Sequence, residues 1–218
     1  MTVQAATNSP MVTCINAGLM EYEAALELQR NFHKEVAAGN RNNSVIFLEH
    51  PSVYTAGKRT QDYEKPNDGT PVIDVDRGGR ITWHGPGQLI GYPIVKLAKP
   101  TELVGFVRTL EGALIQFCEE FEIKAGRIEG RSGVWIVDEK GARKIAAIGI
   151  RVASGVTMHG FALNVCPDLK PFAQIVPCGI DDAAVTSMAQ ELGRDISIAE
   201  VAHAVEKHIS EALSKVTL

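Results

Sequence analysis

Three stretches carry residue types that could do chemistry. IVPCGI, residues 175–180, sets Cys178 between a proline and a glycine, just ahead of Asp181 and Asp182. A constrained loop can hold a thiol exposed and fixed, as a nucleophile requires, and it can equally carry an inert cysteine. RGGRITWHGPGQLIGYPI, residues 77–94, mixes Gly78, Gly79, Gly85 and Gly87 with Arg77, Arg80, Trp83, His84 and Gln88. Glycine is used where backbone must turn through positive φ or approach something closely, so this stretch is a phosphate cradle, a catalytic loop or a tight bend. RKIAAIGIRV, residues 143–152, places Lys144 near the start of an apolar run.

The remaining patterns narrow the chemistry. Neither G-x-x-x-x-G-K-[ST] nor a strand-to-helix G-x-G-x-x-G occurs. The 77–94 stretch runs into a strand-like segment and so lacks the helix start that gathers N–H groups around phosphate, which weakens the cradle reading. The six histidines show no H-E-x-x-H spacing, and no metal site is expected. His84 and His159 flank glycines and are candidates for a site or for structural hydrogen bonding; His203 and His208 read as surface or packing residues of a terminal helix. Cys14, Cys118 and Cys166 read as buried and inert.

These residues need elements to position them. Apolar spacing through Leu19, Tyr22, Leu26, Phe32 and Val36 predicts a helix stopped at Gly39-Asn40. SVIFLEH and PVIDVD read as strands, with a polar surface loop from Lys58 to Thr70 between them. After a strand at QLIGYPIV, Leu103, Phe106, Val107, Leu110, Leu114, Phe117 and Phe121 define the longest amphipathic helix. GVWIVD and RKIAAIGIRV flank a hairpin turn at 138–141, which puts Lys144 at the beginning of a strand. GVTMHGFALNV is a further strand. Two capping boxes, Ser187-x-x-Gln190 and Ser197-x-x-Glu200, begin helices in the tail. Strands concentrated between residues 44 and 165, with helices before, within and after, make an α+β pattern with a mixed sheet.

Composition bounds the function class. The 218 residues fit a single domain with a substantial core, and 45% hydrophobic with 22% charged residues is ordinary for a soluble globular protein. A net charge of −4 gives no general pull toward nucleic acid or anionic membrane. No secretory signal or membrane-spanning run is read, and scattered cysteines without a C-x-x-C pair suit a reducing cytoplasm.

Taken together the blocks resemble the octanoyltransferases, the lipoyl(octanoyl) transferases of protein lipoylation. EHPSVYTAGKR at 49–59, RGGRITWHGPGQLIGY at 77–92, ARKIAAIGIRV, TMHGFALNV and IVPCGI occur in the family's order. The resemblance spans roughly 15–193, with 1–14 and 194–218 outside the family-specific blocks of one 1–218 catalytic domain. It implies the fold of biotin and lipoate protein ligases. It also implies transfer of an octanoyl group from acyl carrier protein to a lysine of a lipoyl domain, in 2-oxoacid dehydrogenase E2 subunits or the glycine cleavage H protein. Cys178 matches the acyl-accepting cysteine and Lys144 the lysine that activates it. Substrate contacts map onto Arg77, Gly78, Gly79, Arg80, Ile81, Thr82, Trp83 and His84, onto Ala147, Ile148 and Gly149, and onto Gly160, Phe161 and Ala162. No cofactor is implied.

The chemistry is physically sound. Half-ionising a thiol at neutral pH costs about 2 kcal/mol, and one ammonium about 4 Å away is worth on the order of 4 kcal/mol at an effective dielectric near 20, before desolvation. Moving the acyl group from thioester to amide runs downhill without ATP. Glycine N–H groups are expected near the developing oxyanion, Arg77, Arg80 and Gln88 are expected to order their loop, and His84 is given no direct catalytic role. Lys58, Arg59 and Arg143 are candidates for a basic patch facing the acidic carrier. An ATP-dependent lipoate or biotin ligase and a non-catalytic acyl-binding module are the rival readings.

Overall fold

The computed structural model describes residues 12–66, 69–175 and 184–218. A mixed sheet runs in the order β1 (Thr13–Leu19), β2 (Ser44–Glu49), β6 (Gln88–Ile94), β10 (Val156–Asn164), β9 (Gly141–Ala153), β8 (Arg131–Asp138), β7 (Gly126–Ile128). β1 is parallel to β2, and the other neighbours along this path are antiparallel. A short strand β11 (Ala184–Val185) pairs in parallel with β9 off the path. A second, small sheet joins β4 (Val72–Asp74), β3 (Val53–Ala56) and β5 (Thr82–His84) in that order.

Alternation along the strands sorts the core to two faces of the main sheet. Val45 and Phe47 of β2 pack with α2 (Leu103–Glu120) and α4 (Ile198–Leu213), while Ile46 and Leu48 pack with α1 (Tyr22–Ala37). The apolar spacing of α2 puts Phe106, Leu110, Leu114 and Phe117 on one buried stripe. Both tail helices begin where expected. Ser187 accepts from the Gln190 N–H ahead of α3 (Met188–Leu192), and Ser197 accepts from the Glu200 N–H ahead of α4. The hairpin turn is also present, with Asp138 opposite Gly141 across Glu139-Lys140 and Gly141 at φ +96°.

Three expectations need correcting. Leu19 closes β1 rather than opening the first helix, because TCINAGL forms an edge strand whose exposed and half-buried residues leave no strong apolar alternation. The 58–70 segment is not all surface loop: a 3-10 turn at Asp62–Glu64 buries Glu64 completely against Arg80. Cys14 is only half-buried on the edge strand β1, and Cys166 is exposed rather than buried, since β10 has already ended at Asn164. Cys118 is buried, and burial pushes its thiol up to about 12.

Candidate active site

Four of the five blocks contribute to one cavity of about 250 Å³ on the α1 side of the main sheet. One wall is the 77–84 loop, contributing Arg77, Gly78, Gly79, Arg80, Ile81, Thr82 and His84. The floor is the β9–β10 pair, where Ala147 lies opposite Ala162, Ile148 opposite Phe161 and Gly149 opposite Gly160. Ile148 and Phe161 also belong to the core on the α2 side, and the small pairs Ala147–Ala162 and Gly149–Gly160 leave a trough with little side chain in it. Lys144, Tyr22, Tyr92 and His159 line the cavity as well. Arg59 and the turn at Gly130, Arg131 and Ser132 complete the lining.

Trp83 is the one proposed substrate contact on this wall that does not line the cavity. Side chains alternate along β5, and Trp83 is buried on its other face, donating from Nε1 to Ser52 Oγ at 2.8 Å and packing edge-on against Phe172. Cys178 lies outside the described residues.

Arg77 holds the loop from within. Its Nη2 donates to Thr55 O (2.8 Å) and Thr55 Oγ1 (2.9 Å), and its Nη1 to Arg80 O (2.8 Å) and Gly78 O (3.1 Å). Arg80 turns outward to the Glu64 carboxylate. Gly79 takes φ +87°, so the bend reading of the glycines holds at that position. The Gly78 N–H donates to Ile150 O at 3.2 Å, which docks the loop on β9 and occupies one N–H expected near the oxyanion.

Gln88 links the loop to the strand beyond. Asn164 Nδ2 donates to Thr186 O (2.9 Å), so Asn164 Oδ1 accepts from Gln88 Nε2 (2.9 Å) and Gln88 Oε1 is left as an acceptor. His84 Nδ1, 3.1 Å from that oxygen, therefore carries the ring proton, and Nε2 is the unprotonated nitrogen. Thr186 N donates in turn to Lys144 O at 3.0 Å. A buried hydrogen-bonded chain thus runs from the loop wall to the backbone of Lys144.

His159 adopts φ +59°, a conformation that non-glycine residues seldom take. Its N–H donates to Gln29 Oε1, its Nε2 lies 2.7 Å from Asp76 Oδ1, and Asp76 Oδ2 meets Arg151 at 2.8 Å. Burial lowers His159, and the Asp76 carboxylate only partly offsets it. Burial also lowers His50, whose ring bridges Met20 O and the Tyr92 hydroxyl, and pushes His84 well below its usual range. Burial raises Tyr22 to about 12 and Tyr92 well above its usual value.

Three histidines held neutral make stability pH-dependent in a definite direction. Each folded-state pKa lies below the ordinary 6.5, so below that pH the unfolded chain binds protons that the native chain does not. Each group then removes about 1.4 kcal/mol per pH unit until its folded pKa is reached. Urea unfolding is expected to give a clearly lower stability at pH 5 than at pH 7.5. Equal stabilities would show that these rings are not held neutral. Asp76, whose pKa is lowered, matters only in a more acid window, below the usual carboxylate value of 3.8.

Lys144 is buried, with Nζ 4.5 Å from the centroid of the Trp135 ring. Val185 lies opposite it in the β11 pairing, so the chain returning from the Cys178 segment is registered against the lysine. Arg143, a candidate for the basic patch, is instead held by Asp138 (2.7 Å) and Glu191 (3.0 Å), while Lys58 and Arg59 are exposed. Sequence reasoning assigned no site role to Tyr22, Tyr92 or Arg131. Tyr22 carried only a core-like position at a helix start, and Arg131 only its place between Gly130 and Gly133 in EGRSG. Among the described residues no group of three or more His, Cys, Asp or Glu side chains could hold a metal ion, and no helix is long and apolar enough to cross a membrane.

Residues 21–210 match the lipoyl protein ligase A/B catalytic domain family. An octanoyltransferase of Salinispora tropica is 59% identical over 205 residues, which cover 93% of this chain and 96% of that protein. The chain belongs to the octanoyltransferase family. The fold agrees: a bipartite lipoate protein ligase of Thermoplasma acidophilum superposes with a TM-score of 0.71 at 17% identity, covering 93% of this chain and 84% of that one. A biotin protein ligase of Aquifex aeolicus gives 0.52 at 16% identity, covering 94% and 71%. This octanoyltransferase-family chain therefore has the expected α+β, lipoate and biotin ligase-like architecture.

Proposed function

We propose that the protein transfers an octanoyl group from acyl carrier protein to the lysine of a lipoyl domain, in E2 subunits or the glycine cleavage H protein, through an acyl-thioester on Cys178 and without ATP. The observation that carries this reading is the placement of Lys144. It is a buried lysine lining the cavity, registered against Val185, seven residues after Cys178 in the chain. The lysine holds Cys178 as thiolate; sulfur attacks the carrier thioester carbonyl, the new S–C bond forms, and the carrier's C–S bond breaks as Lys144 returns a proton to the leaving thiolate. In the second half the acceptor amine attacks the acyl-enzyme, an N–C bond replaces the S–C bond, and the amine proton passes through Lys144 to restore the resting pair.

The trough suits the acyl chain. Burying seven carbons beyond the carbonyl contributes about 5–6 kcal/mol at about 0.8 kcal/mol per methylene. The protein incubated with octanoyl carrier protein and no nucleotide should gain the mass of one octanoyl group, mapped to Cys178 and released by hydroxylamine. Absence of the adduct, together with ATP-dependent use of free octanoate, would make the chain a ligase instead.

A further inference from the structure

Glu111 sits near the middle of α2, on the opposite face of the sheet from α1, and is completely buried. A carboxylate there is costly unless it is paired and hydrogen-bonded. Its Oε2 accepts from Arg108 (2.7 Å) and Arg127 (3.0 Å), and its Oε1 accepts the backbone N–H of Gly133 at 3.0 Å. Gly133 is at φ +107°, and a Cβ on it would lie 2.5 Å from Ala146 O and 3.4 Å from Lys144 Cε. The Glu111 contact therefore fixes the piece of β8 against which the lysine stem lies.

The strand pairing slips at the same place. Val134 pairs with Ala146, but Trp135 pairs with Lys144, so Ile145 is an extra residue on β9. Such bulges re-aim side chains. Ile145 enters the core under α2, while Lys144 lines the cavity and runs over Trp135.

We infer that Glu111 is a positioning residue for Lys144, acting through Gly133 and the bulge at Ile145. The inference rests on Lys144 being the group that activates Cys178. The carboxylate clamps one strand from beneath, the clamp holds the register slip, and the slip turns the ammonium into the cavity. Glu111→Gln keeps an acceptor for the Gly133 N–H and should act as a partial rescue; Glu111→Leu removes it. Arg127→Met leaves the carboxylate but loosens it, and provides a variant with an exposed substitution should Glu111→Leu fail to fold.

The test measures octanoyl transfer, thermal unfolding, and the pH dependence of Cys178 alkylation followed by peptide mass. Glu111→Leu should lower kcat at least ~30-fold with KM for the octanoyl thioester within about twofold, and should move the alkylation midpoint to higher pH. Arg127→Met should shift both in the same direction by less, and Glu111→Gln should stay within about threefold of the parent. Folded Glu111→Leu or Arg127→Met protein with an unmoved alkylation midpoint, whatever its unfolding temperature, overturns the inference. A parent protein that forms no Cys178 adduct removes the underlying reading instead.

Discussion

Lys144→Met is expected to lower octanoyl transfer by about 10³-fold or more while leaving the protein folded, because it removes both the charge that holds a thiolate and the proton carrier. Methionine keeps the length of the apolar stem that lies along Gly133 and Trp135, so the packing loss is small. Lys144→Arg separates the two roles. A guanidinium keeps the positive charge but does not give up its proton near neutrality, so Cys178 alkylation should remain fast at pH 7 while transfer stays low. Activity of the methionine variant within tenfold of the parent would remove Lys144 from the mechanism. Fast transfer by the arginine variant would leave it only an electrostatic part.

Arg77→Met should be the most damaging change in the cavity wall. Its buried guanidinium donates to three backbone carbonyls and one hydroxyl, and Thr55 beneath it is completely buried. Removing it leaves acceptors without donors, at a cost of about 3 kcal/mol, which for a chain of this size lowers the unfolding midpoint by roughly 6–12 °C. The loop should also lose its docking on β9, so transfer should fall along with stability. Arg77→Lys should recover little, since one ammonium cannot reach Thr55 and Arg80 together in the planar geometry of the guanidinium. An Arg77→Met protein as stable and active as the parent would mean that the Gly78 N–H contact to Ile150 alone holds the loop.

Much of the architecture was legible locally. The helical stripe of α2, the caps at Ser187 and Ser197, and the two-residue turn before Gly141 depend on neighbours within a few residues, so spacing and residue type specify them. The substrate contacts implied by the ordered blocks, Trp83 excepted, also line the cavity. Other features were hidden because they depend on partners distant in the chain. β1 exists through pairing with β2 rather than through its own alternation. Glu64 reads as a loop charge until Arg80 meets it, and Glu111 reads as a polar position on a helix until Gly133 is brought 3.0 Å away.

The sequence by itself determined the main helices and central strands, the family and the residue types available for acyl transfer, since these follow from local periodicity and from motifs that stay intact as strings. Only the tertiary structure decided which side of β5 faces the cavity, putting Thr82 and His84 on its lining and Trp83 away from it. It alone also set the proton position on His84 and the slip at Ile145 that aims Lys144. A one-residue change of register reverses the facing of every side chain on a strand, and register is fixed by contacts between strands far apart in the chain.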